Sequence, residues 1–170
     1  MPENNQILSI GNQLVGMPLA GPESFSQEQI AYLKRALGVD ETVLYNYPSS
    51  GTVYDSTRKS ISFSESCRNF ERIRVYLVNN DYAYSVAEFE PGTDEHTETF
   101  QVNTISAEPK AYVKMTTWVL GDSTLTYRAG CGYYINNGGT ALVSPTVNKT
   151  ANYVVPYKVV GIHRISGGNQ

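Results

Sequence analysis

Apolar positions recur along the chain with two different periods, and the change from one to the other falls near residue 41. Ahead of it, Ile30, Leu33 and Leu37 stand three and four residues apart, the spacing of one helical face. Lys34 and Arg35 face away from that stripe, close to the C-terminal end where the helix dipole favours cations. The helix ends are marked as well. Ser26 with Gln29 completes a capping box, Phe25 and Ile30 stand at the spacing of a hydrophobic staple, and Gly38 supplies a left-handed stop. A helix of about three turns is marginal alone in water, so its stripe is expected to dock against something. Residues 1–23 read as an arm. Ile7, Leu8 and Ile10 form one apolar patch and Leu14, Val15 and Met17 another, parted by Gly11, while Pro18 and Pro22 prevent a continuous helix.

From Glu41 onward the period is two. Alternation predicts strands at Thr42–Tyr45, Ser60–Ser64, Arg72–Val78, Tyr82–Phe89, 98–105, 111–120 and 123–129, with a further one at Gly130–Ile135 and a last at Tyr153–Ile165. Turn residues punctuate them: Pro48-Ser49-Ser50-Gly51, Asn79-Asn80-Asp81, Pro91-Gly92-Thr93-Asp94, Gly121-Asp122 and Asn136-Asn137-Gly138-Gly139. Asn79-Asn80-Asp81 joins its flanking strands as a hairpin. Pro156 cannot donate to a ladder, which places the last strand at a sheet edge or bends it there. The fold class expected is mainly β: an antiparallel β-sandwich, jelly-roll-like, over residues 41–170, preceded by an arm and one short helix over 1–40.

Composition agrees. The chain has 170 residues, enough for one domain with a true core, and its 13 tyrosines suit half-buried pleated surfaces. A net charge of −3 gives no electrostatic footprint for nucleic acid, and the densest basic cluster, Arg68, Arg72 and Arg74, is interrupted by Glu71. No apolar run approaches the length of a membrane span. Met1 to Gln6 carry neither a basic nor an apolar region, which argues against a secretory signal. Cys67 and Cys131 make neither a metal site nor a disulfide framework, and buried free thiols are expected.

Candidate chemistry is sparse. His96 lies in Asp94-Glu95-His96-Thr97-Glu98, the one cluster of acids and imidazole, but a metal site needs further ligands, so a solvated loop is expected. His163 reads as a hydrogen-bonded strand residue. Cys67 has no glycine-framed elbow or helix start to activate it, which makes it structural. Glu88 and Glu90 share a strand face and, with Asp94, offer carboxylates for a glycan-degrading enzyme, yet nothing in the spacing fixes their separation. Gly130-Cys131-Gly132 and Asn137-Gly138-Gly139 are not phosphate-binding loops, and Asn148-Lys149-Thr150 is a common sequon. No catalytic set, metal site or cofactor is expected. What stands out is tyrosine: 45, 47, 54, 82, 84, 133, 134, 153 and 157 are too many for a core. They fit cross-strand pairing on a sheet face, or a flat aromatic surface for sugars with Asn and Asp beside it. The candidate ligand residues are Asp81, Tyr82 and Tyr84 at the hairpin tip, with Tyr133 and Tyr134.

The segment Ser62-Phe63-Ser64-Glu65-Ser66-Cys67-Arg68-Asn69-Phe70-Glu71-Arg72-Ile73-Arg74-Val75-Tyr76, with the Asn-Asp turn after it, resembles a pattern in tail-fibre and minor structural proteins of bacteriophages and prophages. The closing Tyr157-Lys158-Val159-Val160-Gly161-Ile162-His163-Arg164-Ile165 is similar to the ending of the same group, and Leu33 to Tyr45 to its lead into the sandwich. The resemblance implies a structural module of a virion. The short arm departs from long-shafted fibres and favours a short fibre, a spike or a capsid-attached appendage. The expectations are a homo-oligomer, a trimer favoured, held through Ile30, Leu33 and Leu37; attachment to other virion proteins through the arm; and multivalent binding to a host cell-surface glycan. The alternative is a decoration or head-fibre protein whose main partner is the virion.

Overall fold

The computed structural model describes residues 26–38, 40–48, 52–105, 110–136, 146–148 and 152–165. The arm and Phe25 of the staple lie outside them. The chain divides into two units, Met1–Asp40 and Glu41–Gln170.

In the first unit, helix α1 spans Gln27–Ala36. Its capping box is formed in both directions: Gln29 N donates to Ser26 Oγ at 3.2 Å, and Ser26 N donates to Gln29 Oε1 at 2.8 Å. Leu37 is the C-cap, its N–H bonded to Leu33 O at 2.9 Å, and Gly38 takes the left-handed conformation at φ 67°. Ile30 and Leu33 are half-buried, whereas Leu37 is 62% exposed.

The second unit is a two-sheet antiparallel β-sandwich. Its strands are β1 (Glu41–Asn46), β2 (Ser60–Ser62), β3 (Phe70–Asn79), β4 (Tyr84–Phe89), β5 (His96–Ile105), β6 (Lys110–Leu120), β7 (Thr124–Asn136), β8 (Thr146–Asn148) and β9 (Val154–Arg164). One sheet runs β1-β9-β3-β4; the other runs β2-β7-β6-β5, with β8 also paired to β7. The late strands return to the early ones, β9 onto β1 and β7 onto β2, which is the jelly-roll-like wrapping; β3–β4 and β5–β6–β7 are simple antiparallel neighbours.

Alternation decides which residues meet between the sheets. Ile73, Val75 and Leu77 of β3 face inward with Val154 and Val159 of β9, against Phe100 and Val102 of β5, Trp118 and Leu120 of β6, and Leu125 of β7. Each such side chain contributes about 1.5–3 kcal/mol on burial. Trp118 is fully buried, and its indole N–H donates to Thr116 Oγ1 at 3.0 Å, so no donor is left unpaired. Gly161 of β9 lies under the Phe70 ring, where a Cβ would stand 2.4 Å from the ring carbon.

Several expectations are corrected by the structure. Residues 124–136 form one long strand rather than two, because β6 pairs along its length from Leu120↔Leu125 to Lys110↔Asn136 and carries the glycines through. Tyr82 lies in the turn, not in β4, with φ 58°. The strand containing Pro156 lies inside its sheet, between β1 and β3, not at an edge. Pro156 is tolerated because β1 ends before it, at the Asn46↔Lys158 pair, and because the register against β3 shifts between Tyr76 and Leu77. The irregularity expected there is present as that shift of register.

Candidate functional site

The hairpin turn between β3 and β4 is built by one buried side chain. Asn79, fully buried, accepts from the N–H groups of Asp81 and Ala83 through Oδ1, both at 2.9 Å. Its Nδ2 donates to Thr104 Oγ1 at 2.7 Å, tying the turn to the opposite sheet. Lys114 of β6, itself 8% exposed, then reaches up to the turn and donates to Asn80 Oδ1 at 2.7 Å and to Asp81 Oδ2. Asn80, Asp81 and Tyr82 are therefore held from two directions.

A second loop, residues 52–59, folds against them. Asp55 accepts from Thr57 N at 2.9 Å and Thr57 Oγ1 at 2.7 Å, and these bonds hold its carboxyl below the ordinary carboxylate range. Arg58 is buried: Nη1 donates to Pro156 O at 2.8 Å, Nη2 to Val53 O at 3.3 Å, and the guanidinium carbon lies 3.6 Å from the centre of the Tyr47 ring. Tyr54 donates its hydroxyl to Asn152 O at 2.9 Å, and burial pushes its pKa up. Asn152 returns a bond from Nδ2 to Arg58 O at 2.7 Å.

Between these loops lies a groove of about 480 Å³, walled by Tyr54 and Tyr153, with Lys59 and Asn80 at its sides and Asn152 beneath. Tyr82 packs edge-to-face on Tyr54, ring centres 6.4 Å apart. Two features are unusual. Asn152 is 1% exposed and its Oδ1, a buried acceptor, has no partner among the described residues. Lys59 has no carboxylate partner among the described residues; its ammonium lies 5.6 Å from the centre of the Tyr127 ring. Such a groove offers rigid aromatic faces, amide groups and a cation, the means of holding a polyhydroxy ligand without covalent chemistry.

The residues expected to form a ligand surface are divided. Asp81 and Tyr82 neighbour this groove without lining it: Asp81 Oδ2 is engaged by Lys114 and so positions the turn, and Tyr82 packs on Tyr54, which is one of its walls. Tyr84 instead lies on the outer face of the four-stranded sheet, 54 to 58% being the exposure of Tyr82 and Tyr84 alike. There it meets Tyr157 edge-on at 5.8 Å, and Tyr157 meets Tyr76 at 6.1 Å, the cross-strand pairing that was the other reading of these tyrosines. Tyr133 and Tyr134 belong to β7 by backbone, and their side chains lie outside the described residues. Tyr54, Lys59, Asn152 and Tyr153 were not singled out as a set from sequence. Tyr54 and Asn152 are 98 residues apart and meet only through the fold.

The remaining candidates resolve individually. His96 opens β5 and is half-buried, not in a solvated loop, because Nδ1 meets Asp94 O at 3.0 Å and Nε2 meets Glu98 Oε1 at 2.9 Å. His163 has φ 53°, its Nδ1 lies 3.5 Å from Glu71, and its buried Nε2 has no partner among the described residues. Cys67 does begin a short 3-10 turn, Cys67–Asn69, contrary to expectation, but burial and the nearby Asp122 carboxylate push its thiol up, away from nucleophilic form. Both cysteines are free, with Cys67 buried and Cys131 only half-buried. Glu88 is paired with Arg72 at 3.1 Å and Arg74 at 3.0 Å, which holds its carboxyl low and makes it a poor general acid; Glu90 lies beyond β4 and is exposed. Among the described residues no three metal-ligating side chains converge, and no helix is long and apolar enough to cross a membrane. A smaller depression of about 240 Å³ over Met115, Ala129 and Cys131 offers no converging polar groups.

Compared with known proteins, the chain matches no family model, no curated protein and no solved structure.

Proposed function

We propose that this chain is a structural protein of a bacteriophage virion, a short fibre or spike-type appendage, whose β-sandwich binds a host-surface saccharide without chemical conversion in the Tyr54–Tyr153 groove. The virion reading stands on the sequence resemblance. The binding reading stands on one observation: an aromatic-walled groove whose two loops are pinned by buried hydrogen bonds through Asn79 and Asn152. Preformed aromatic faces bind sugars with little ordering cost. Single sites of this kind are weak, and several copies on one particle compensate.

The test is adsorption of the purified protein to bacterial cells and to their extracted polysaccharide. Tyr54→Ala should lower affinity about tenfold, equivalent to about 1.4 kcal/mol, while the released-fragment assay on the same polysaccharide stays blank. Fragments released from the polysaccharide would point to the glycan-degrading alternative.

A second reading, decoration of the capsid or head, is favoured by the outer face of the four-stranded sheet. Val43, Tyr84 and Val86 are there 50, 58 and 52% exposed, a composition suited to a protein partner. Val43→Glu and Val86→Glu together should leave glycan binding intact and remove particle attachment if that reading holds.

A further inference from the structure

We infer that the groove selects acidic saccharides, with Lys59 reading the ligand's carboxylate and Asn152 accepting from one of its hydroxyls; this rests on the saccharide reading above. The charges around the groove give the first argument. The chain as a whole carries −3, yet the groove and the contacts that pin its two loops bring together Arg58, Lys59 and Lys114 with Asp55 and Asp81, three cations and two carboxylates among the described residues. Those two carboxylates are already engaged. Asp81 is matched by Lys114, and Asp55 accepts from Thr57 while lying in the field of Arg58. Arg58 is buried, bonded to two backbone carbonyls and with its guanidinium over the Tyr47 ring. That leaves Lys59 as the exposed cation lining the groove without a carboxylate among the described residues, its ammonium beside the ring of Tyr127.

The second argument is the orphaned acceptor. Asn152 cannot be turned to relieve Oδ1, because its Nδ2 donates to Arg58 O and a reversed amide would set oxygen against oxygen. A buried acceptor in that state calls for a donor, and because Asn152 lines the groove, a small side-chain shift would let a ligand hydroxyl, or the water it carries, supply one. One ligand must then provide a hydroxyl for Asn152, an anion for Lys59 and a carbon-rich face for Tyr54. A polyhydroxy carboxylate, a uronic-acid type sugar, has all three. A neutral sugar leaves Lys59 unanswered, and a bare phosphate leaves the aromatic wall unused.

The experiment uses the full chain and two immobilised polysaccharide sets: uronate-containing bacterial capsular polysaccharides and the same polymers carboxyl-reduced. The wild type should bind the acidic forms about tenfold more tightly than their reduced partners, and raising the salt should weaken only the former. Lys59→Gln should abolish that preference, and Tyr54→Ala should weaken both. Equal binding of the two sets, or a preference that survives Lys59→Gln, overturns the inference while leaving saccharide binding in place. Binding to neither set overturns the saccharide reading and the inference with it.

Discussion

Gly161 shows how much a single hydrogen can decide. A methyl group there would press into the Phe70 ring at 2.4 Å, and the ring is buried, held between the core and the guanidinium of Arg164. Gly161→Ala should cost about 3 kcal/mol, at the upper end for overpacking, seen as a lower urea midpoint with an unchanged slope. Phe70→Leu in the same chain should recover part of it, since neighbours that share one space are not additive. Tyr82 is the opposite case. Its left-handed backbone costs about 1–2 kcal/mol for a side-chain-bearing residue, and its ring contact with Tyr54 returns about 0.5–1.5 kcal/mol. Tyr82→Gly should therefore leave thermal stability nearly unchanged and still weaken glycan binding. That separation would mark Tyr82 as kept for recognition.

At the scale of elements, the β3–β4 turn carries the site. Asn79→Ala would strip the N–H groups of Asp81 and Ala83 of their partner and release the tie to Thr104, a loss of about 3 kcal/mol from buried hydrogen bonds. Binding should fall with it, because Asn80 and Tyr82 lose their support. The hairpin itself was legible in the sequence, since Ile73, Val75 and Leu77 alternate with Arg72, Arg74 and Tyr76 and the Asn-rich turn follows. The same rule placed β5 and β6 closely. It failed at Gly130-Cys131-Gly132, which reads as a break while the sheet holds β7 straight through it, and at Pro156, whose missing donor is absorbed by a bulge and by the end of β1. The groove was only half legible. Local pattern marks Asp81 and Tyr82 at a tip, but nothing local says that residues 54 and 59 will lie against 152 and 153. That meeting is set by β9 returning between β1 and β3.

Across the whole molecule, carboxylates held low by partners make stability depend on pH. Arg164 holds Glu65 down through a two-pronged contact at 2.6 and 2.7 Å, Arg72 and Arg74 do so for Glu88, and Thr57 for Asp55. Each depressed carboxyl binds protons more weakly folded than unfolded, so its stabilisation is complete above the ordinary carboxylate pKa and is lost as pH falls through the lower, folded value. Thermal midpoints should hold from neutral pH to the carboxylate range and drop below it. Glu65→Gln should flatten part of that drop, by about 1 kcal/mol or less for so exposed a pair. Assembly is the other property of this scale. The half-buried Ile30 and Leu33 and the exposed Leu37 suit a helix bundle on an axis, and we expect light scattering to give a trimer that Leu33→Glu with Leu37→Glu reduces to monomer. A monomeric wild type would shift the balance to the decoration reading.

We propose that a saccharide binds in the groove between the 52–59 loop and the β3–β4 turn. The most direct measurement is a backbone amide NMR spectrum of the labelled protein, recorded as fragments of bacterial surface polysaccharide are added. Saturable shifts should concentrate at Tyr54, Ser56, Lys59, Asn80, Tyr82, Asn152 and Tyr153, with the outer sheet face at Val43 and Val86 unmoved. Shifts confined to that outer face, or none at any concentration reached, would contradict it.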